Sequence, residues 1–177
     1  MQSRCASGFT LVEILVAVLV LAVGILGAGA AQVAALRTRH ASALLSDGVA
    51  LAASLAERMR ANSAQMHAPD ARNPYLQLQY DAAAGAPPAY PACFAGARCG
   101  SAELAAFDMG EAMQALYLGF PGGRLRVCRD AGTRADWACS GGAGAPIVIK
   151  LGWLRRQADE RWHSTPALTV PVGGAGP

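Results

Sequence analysis

Five cysteines, three histidines and a few unusually placed carboxylates are the side chains of this chain that could carry chemistry. Cys5 stands apart near the start, leaving Cys93, Cys99, Cys128 and Cys139 further along. Five residues separate the first pair and ten the second. Neither spacing is the tight CxxC knuckle of structural zinc sites, and an even count suits disulfides formed in an oxidising compartment. Three pairings are open; Cys93 with Cys99 and Cys128 with Cys139 is favoured because each closes a short loop. His40, His67 and His163 are scattered, none beside a cysteine or carboxylate in a ligand or nucleophile pattern. Asp108 and Glu111 stand one helical turn apart, a spacing that marks a solvated face. With no GxSxG, no HExxH and no glycine-rich phosphate loop after a strand, neither an enzyme nor a bound cofactor or metal is expected.

The carboxylate in an unusual place is Glu13. From Ile14 to Ala31 no charged or strongly polar residue occurs, and Phe9–Val12 and Val33–Leu36 lengthen the apolar run. A helix of about 20 such residues crosses a bilayer. A carboxylate in that setting costs several kcal/mol unless it is paired or near the interface, which makes Glu13 a candidate site. Its place in the first helical turn suits the positive end of the helix dipole. Composition agrees: of 177 residues, 53% are hydrophobic and only 15% charged, with the excess at the N-terminus. The length allows one ordinary domain plus one long element. A net charge of +3, with no basic stripe carrying interleaved aromatics, gives no nucleic-acid footprint.

Beyond Ala35 the pattern turns amphipathic. Leu44, Leu51, Leu55, Met59 and Met66 share one face, while Arg37, Arg39, Asp47, Glu57, Arg58 and Arg60 mostly fall elsewhere. No proline occurs before Pro69, and Asn62–Pro69 supplies a stop. One helix from Thr10 to about Met66 would reach about 85 Å, more than a small domain can bury. Its first half therefore belongs in lipid or against other subunits, and its second half under the domain. Gly24, Gly27 and Gly29 either soften the apolar helix or, with Ala28, allow close helix packing.

In the body, Asn73–Ala92 reads as loop with one edge strand around Leu76, Leu78 and Tyr80. Ser101 caps a helix that runs to about Leu118, with Leu104, Met109, Met113 and Leu116 on or near its buried face, and Gly119 and Pro121 stop it. Alternation predicts strands at Arg124–Arg129 and Ile147–Leu154, joined by the turn-rich Cys139–Gly144, and a third near Trp162 or Leu168–Val172. Arg124, Arg126, Arg129 and Arg134 read as solubility and edge protection. The expected class is α+β: one long N-terminal helix, half transmembrane and half amphipathic, packed against a small antiparallel sheet.

Three readings compete for the N-terminus. A plain signal anchor needs only the apolar helix. A removable secretory signal would use Arg4 as its basic flank and Ala28-Gly29-Ala30 as its cleavage site, but an acid entering the apolar region is awkward there. The third reading rests on the string Gly8-Phe9-Thr10-Leu11-Val12-Glu13, which resembles the processing motif of type IV prepilins. The resemblance implies cleavage between Gly8 and Phe9, N-methylation of Phe9, and pairing of Glu13 with the N-terminal amine of a neighbouring subunit. Leu51–Asn62, LAASLAERMRAN, is similar to the helix end of the PilV-type minor pilins, the type IV pilus modification proteins. Without that resemblance, Glu57, Arg58, Arg60 and Asn62 read as an exposed helix end whose side chains are solvated or cap carbonyls.

The organisation expected on this basis is a leader at 1–8, a transmembrane and filament-core helix at 9–36, its amphipathic continuation at 37–68 and a periplasmic body at 69–177. The resemblance implies a minor pilin that helps to initiate or modify pilus assembly and twitching motility. It would be a single-pass inner-membrane protein that reaches the cell surface in the pilus. Its implied partners are the lipid bilayer, a prepilin peptidase and methyltransferase, the inner-membrane assembly platform, other minor pilins and the major pilin. A pseudopilin of a type II secretion system and a pilin-stemmed surface adhesin are the alternatives.

Overall fold

A computed structural model describes residues 10–94, 98–142, 144–156, 162–163 and 165–173. Helix α1 runs Leu11–Ala61, 51 residues rich in Ala and Leu. Thr10 starts it: its hydroxyl and carbonyl both accept from the Glu13 N–H, at 3.3 and 3.1 Å, the role a threonine plays at a helix N-cap. Compactness divides the chain between Ala43 and Leu44. The first unit contains the N-terminal part of α1, and its apolar side chains are bare, from Leu11 at 74% exposure to Leu36 at 63%.

The second unit holds the rest of α1, a short helix α2 (Ser63–Met66), helix α3 (Ser101–Gly119) and the strands. Strands β1 (Gln79–Asp81), β2 (Arg124–Arg129), β3 (Ile147–Gly152) and β6 (Leu168–Pro171) form an antiparallel sheet in the order β1-β2-β3-β6. Strands β4 (Arg155–Arg156) and β5 (Trp162–His163) pair separately. Both segments expected to supply a third strand thus form one, in different sheets. The strand expected around Leu76–Tyr80 begins later, because Pro74–Gln77 is a 3-10 turn started by Asn73, whose side chain accepts from the Tyr75 N–H.

The face of α1 that enters the core consists of Gly48, Ala52, Leu55, Ala56 and Met59. Leu55, Met59 and Met66 are buried as the periodicity predicts, but Leu44 and Leu51 are only partly covered. Small residues let the helix come close: a Cβ on Gly48 would lie 2.9 Å from the Trp153 ring and 3.3 Å from Leu168. On α3 the buried residues are Ala105, Asp108, Gly110, Ala112 and Leu116. Leu104, expected near that face, is 37% exposed. Gly100, not Ser101, precedes the first turn of α3, and Glu103 reaches back to accept the Gly100 N–H at 2.8 Å.

Residues Leu125, Val127, Ile147, Ile149 and Leu151 join the main core. The alternation that placed them there predicts a wet opposite face, yet every residue of β3 is buried. Lys150 is 1% exposed. The segment after β2 covers that second face. Lys150 Nζ lies 2.5 Å from Asp130 Oδ2 and donates to the backbone carbonyls of Asp136, at 2.9 Å, and of Ala138. Asp130 Oδ1 accepts the N–H groups of Gly132 and Ser140. Its hydrogen bond to Lys150, aided by those backbone donors, holds the Asp130 carboxyl far below the usual carboxylate range.

Two arginines and a disulfide complete the attachment. Arg126 donates to the Trp137 carbonyl at 2.8 Å, the Arg124 guanidinium sits 4.6 Å over the Trp137 ring, and Cys128 is bonded to Cys139. Strand β2 is therefore an inner strand, and its arginines are not the edge charges they were read as. Arg124 and Arg126 fasten a loop, and Arg129 binds both oxygens of Asp70, at 2.6 and 2.9 Å.

Two outcomes follow. Gly48→Leu forces Trp153 to move and destabilises the body by about 1 to 3 kcal/mol, the usual cost of overpacking, read by urea unfolding of the detergent-solubilised chain. Because the folded Asp130 is depressed below its unfolded value of about 3.9, its contribution is whole above that pH and fades as pH falls further. Wild type accordingly loses more thermal stability than Lys150→Met between neutral pH and about pH 3, measured by circular dichroism melting.

Candidate functional site: the N-terminal segment and the helix-end clamp

Gly8 and Phe9 lie outside the described residues. Glu13 sits in the first turn of α1 and shares an open apolar strip with Ile14, Ala17, Val18 and Leu21. Among the described residues no cation comes within ion-pair distance of it. A carboxylate so placed has to find its counter-charge outside the described part of this chain or remain at a wet boundary.

A different constellation lies at the other end of α1, where the string Glu57-Arg58-Met59-Arg60-Ala61-Asn62 occurs. Asp108 is its centre, a carboxylate only 4% exposed. Its Oδ1 accepts from Arg58 at 3.3 Å and its Oδ2 from the Tyr75 hydroxyl at 2.8 Å. Asn62 closes the circuit by donating to the Tyr75 oxygen at 3.2 Å and to the Ser101 carbonyl at 2.7 Å. Gln65 adds a bond to the Ser101 hydroxyl at 2.9 Å. Arg60 reaches the C-terminal end of the sheet, donating to the Val172 carbonyl at 2.7 Å, and pairs with Glu57 at 2.6 Å. Burial holds the Tyr75 phenol well above its usual range; the Asn62 bond opposes that shift, while the Asp108 carboxylate reinforces it.

Three expectations are overturned here. Asp108 does not lie on a solvated face; it shares the buried side of α3 with Ala105, Ala112 and Leu116, and that i, i+3, i+7, i+11 spacing was the available signal. Asn62 is likewise buried rather than an exposed helix end. Its backbone, at φ −89° and ψ 61°, ends α1 at Ala61 and starts α2, so the single helix expected to run to about Met66 breaks. Glu57 is exposed, as is Glu111, which accepts from the Tyr90 hydroxyl at 2.9 Å. Among the described residues no buried polar side-chain atom of the clamp lacks a partner, and the chemistry of such a network is to hold geometry.

Of the remaining sequence candidates, Cys93 is bonded to Cys99, with Cα atoms 5.8 Å apart. His40 lies exposed on α1, and His67 contacts the Ser63 carbonyl at 2.8 Å. The His163 side chain falls outside the described part. Among the described residues no group of three His, Cys, Asp or Glu side chains could hold a metal ion.

The family model for the prokaryotic N-terminal methylation motif matches residues 3–29, and that for type IV pilin Tt1218 matches residues 30–110. The two matches abut, and the second takes in both the Arg58–Asn62 string and Asp108. No curated protein and no solved structure matches the chain. A long N-terminal helix packed against a small antiparallel sheet is the pilin-like α+β arrangement. The apolar helix and the motif are consistent with anchoring in an inner membrane, and the motif implies processing by a prepilin peptidase. The contiguous matches, the bare apolar helix and the fold agree in supporting a type IV prepilin.

Proposed function

We propose that this chain is a minor pilin that helps to initiate or modify the assembly of a type IV pilus. The observation that carries the reading is the uncovered apolar helix Leu11–Leu36 with one acid, Glu13, in its first turn. In this reading the peptidase cuts between Gly8 and Phe9 and Phe9 is methylated. Residues 9–36 hold the protein in the inner membrane and later enter the filament core, residues 37–61 continue the helix up to its break at Asn62, and residues 69–177 form a body in the periplasm. The disulfides Cys93–Cys99 and Cys128–Cys139 support an oxidising location for that body. Glu13 pairs with the N-terminal amine of a neighbouring subunit, and other minor pilins, the major pilin and the assembly platform are the partners.

Mass analysis of the mature chain is expected to find a start at methylated Phe9. A start at Ala31 would instead mean a secreted protein and end the proposal. Glu13→Ala is expected to leave membrane insertion intact while cutting incorporation into sheared pili at least tenfold, since one unpaired partner charge in lipid costs several kcal/mol. Asp108→Ala leaves the Arg58 guanidinium and the Tyr75 hydroxyl short of a partner and should destabilise the body by about 2 to 3 kcal/mol, read by urea unfolding, with processing at Phe9 unchanged.

A further inference from the structure

Immediately after the apolar run, α1 carries Arg37, Arg39 and His40. All three are exposed, and among the described residues no carboxylate pairs with either arginine. Successive residues of an α-helix turn by about 100°, so Arg39 and His40 point about 200° and 300° around from Arg37. Measured the shorter way, all three lie within about 160° of arc, a partial collar over less than half of the helix circumference. What points to a planar boundary is their depth along the helix.

The spacing fits such a boundary. Residues 14–36 lie between Glu13 and Arg37 without an ionisable group, and span about 35 Å as helix at about 1.5 Å per residue. The hydrocarbon layer of a bilayer is about 30 Å thick, and a moderate tilt absorbs the difference. With Glu13 at one surface, the collar falls at the phosphate level of the opposite leaflet. Arginine pairs with phosphate through a planar fork of donors, and its long stem reaches from the apolar zone to the headgroups.

We propose that Arg37 and Arg39, with His40, bind the headgroup phosphates of anionic phospholipid in the leaflet facing the body. The collar fixes the depth of the anchor, and each departure of a subunit into a filament has to break it. This rests on the membrane-anchor reading above.

The test uses the full chain reconstituted into phosphatidylcholine vesicles containing phosphatidylglycerol, with spin-labelled forms of each lipid reporting which one lies against the protein. A surface cation favours anionic lipid by roughly fivefold. Wild type is therefore expected to select phosphatidylglycerol over phosphatidylcholine by at least fivefold, R37Q/R39Q to lose that selection, and R37K/R39K to retain most of it. Flotation with the vesicles but no selection, or selection unchanged in R37Q/R39Q, overturns the collar and leaves the anchor standing. Failure of the wild-type chain to float with vesicles sinks the anchor reading and the collar with it. Unchanged lipid selection together with loss of cross-linking between copies in R37Q/R39Q would assign the arginines to a protein neighbour and also overturn the proposal.

Discussion

Apolar helix surface that nothing covers is the constraint from which the rest follows. Between Leu11 and Leu36 the side chains of α1 are exposed, and water is a poor solvent for that much contiguous hydrocarbon. Lipid or a bundle of like helices removes the penalty. In either medium a lone carboxylate becomes costly, so the surface that calls for lipid or like helices also singles out Glu13.

The body solves a different problem, that of gripping the end of such a helix. Gly48, Ala52 and Ala56 bring α1 close, but contacts through small residues are weakly directional. Direction comes from the polar circuit through Asp108, Tyr75, Asn62 and Arg58, whose buried members each require partners in one geometry. Breaking α1 at Asn62 is part of that arrangement, since the turn there aims the amide at Tyr75 and Ser101.

What the sequence made legible was local. The apolar run, the motif around Gly8 and Glu13, the second helix and the alternating strands are patterns within a few residues of one another, and period alone reveals them. Asp108, Asn62 and Lys150 escaped because a buried polar residue reads as a surface residue until its partner is known, and their partners lie 13 or more residues away along the chain, apart from Lys150's nearest carbonyl contact at 12. Small residues escaped for another reason: large side chains dominate a hydrophobic pattern, so Leu44 and Leu51 drew attention that belonged to Gly48 and Ala52. The arginines of β2 were misplaced because strand order, which puts β2 inside the sheet, is set by long-range pairing.

The cover over the outer face of the sheet has one further property. Lys150 grips it through the carbonyls of Asp136 and Ala138, and Arg126 through that of Trp137, groups that every amino acid possesses. Apart from Asp130, Asp136, Ser140, the Trp137 ring and the cystine, attachment is indifferent to which side chains the loop displays. Such a mount lets the outward surface be rewritten by mutation while its fastening stays intact, and it lies beyond residue 110, where the pilin match ends. A subunit built this way could keep one stem and vary what it shows to its surroundings.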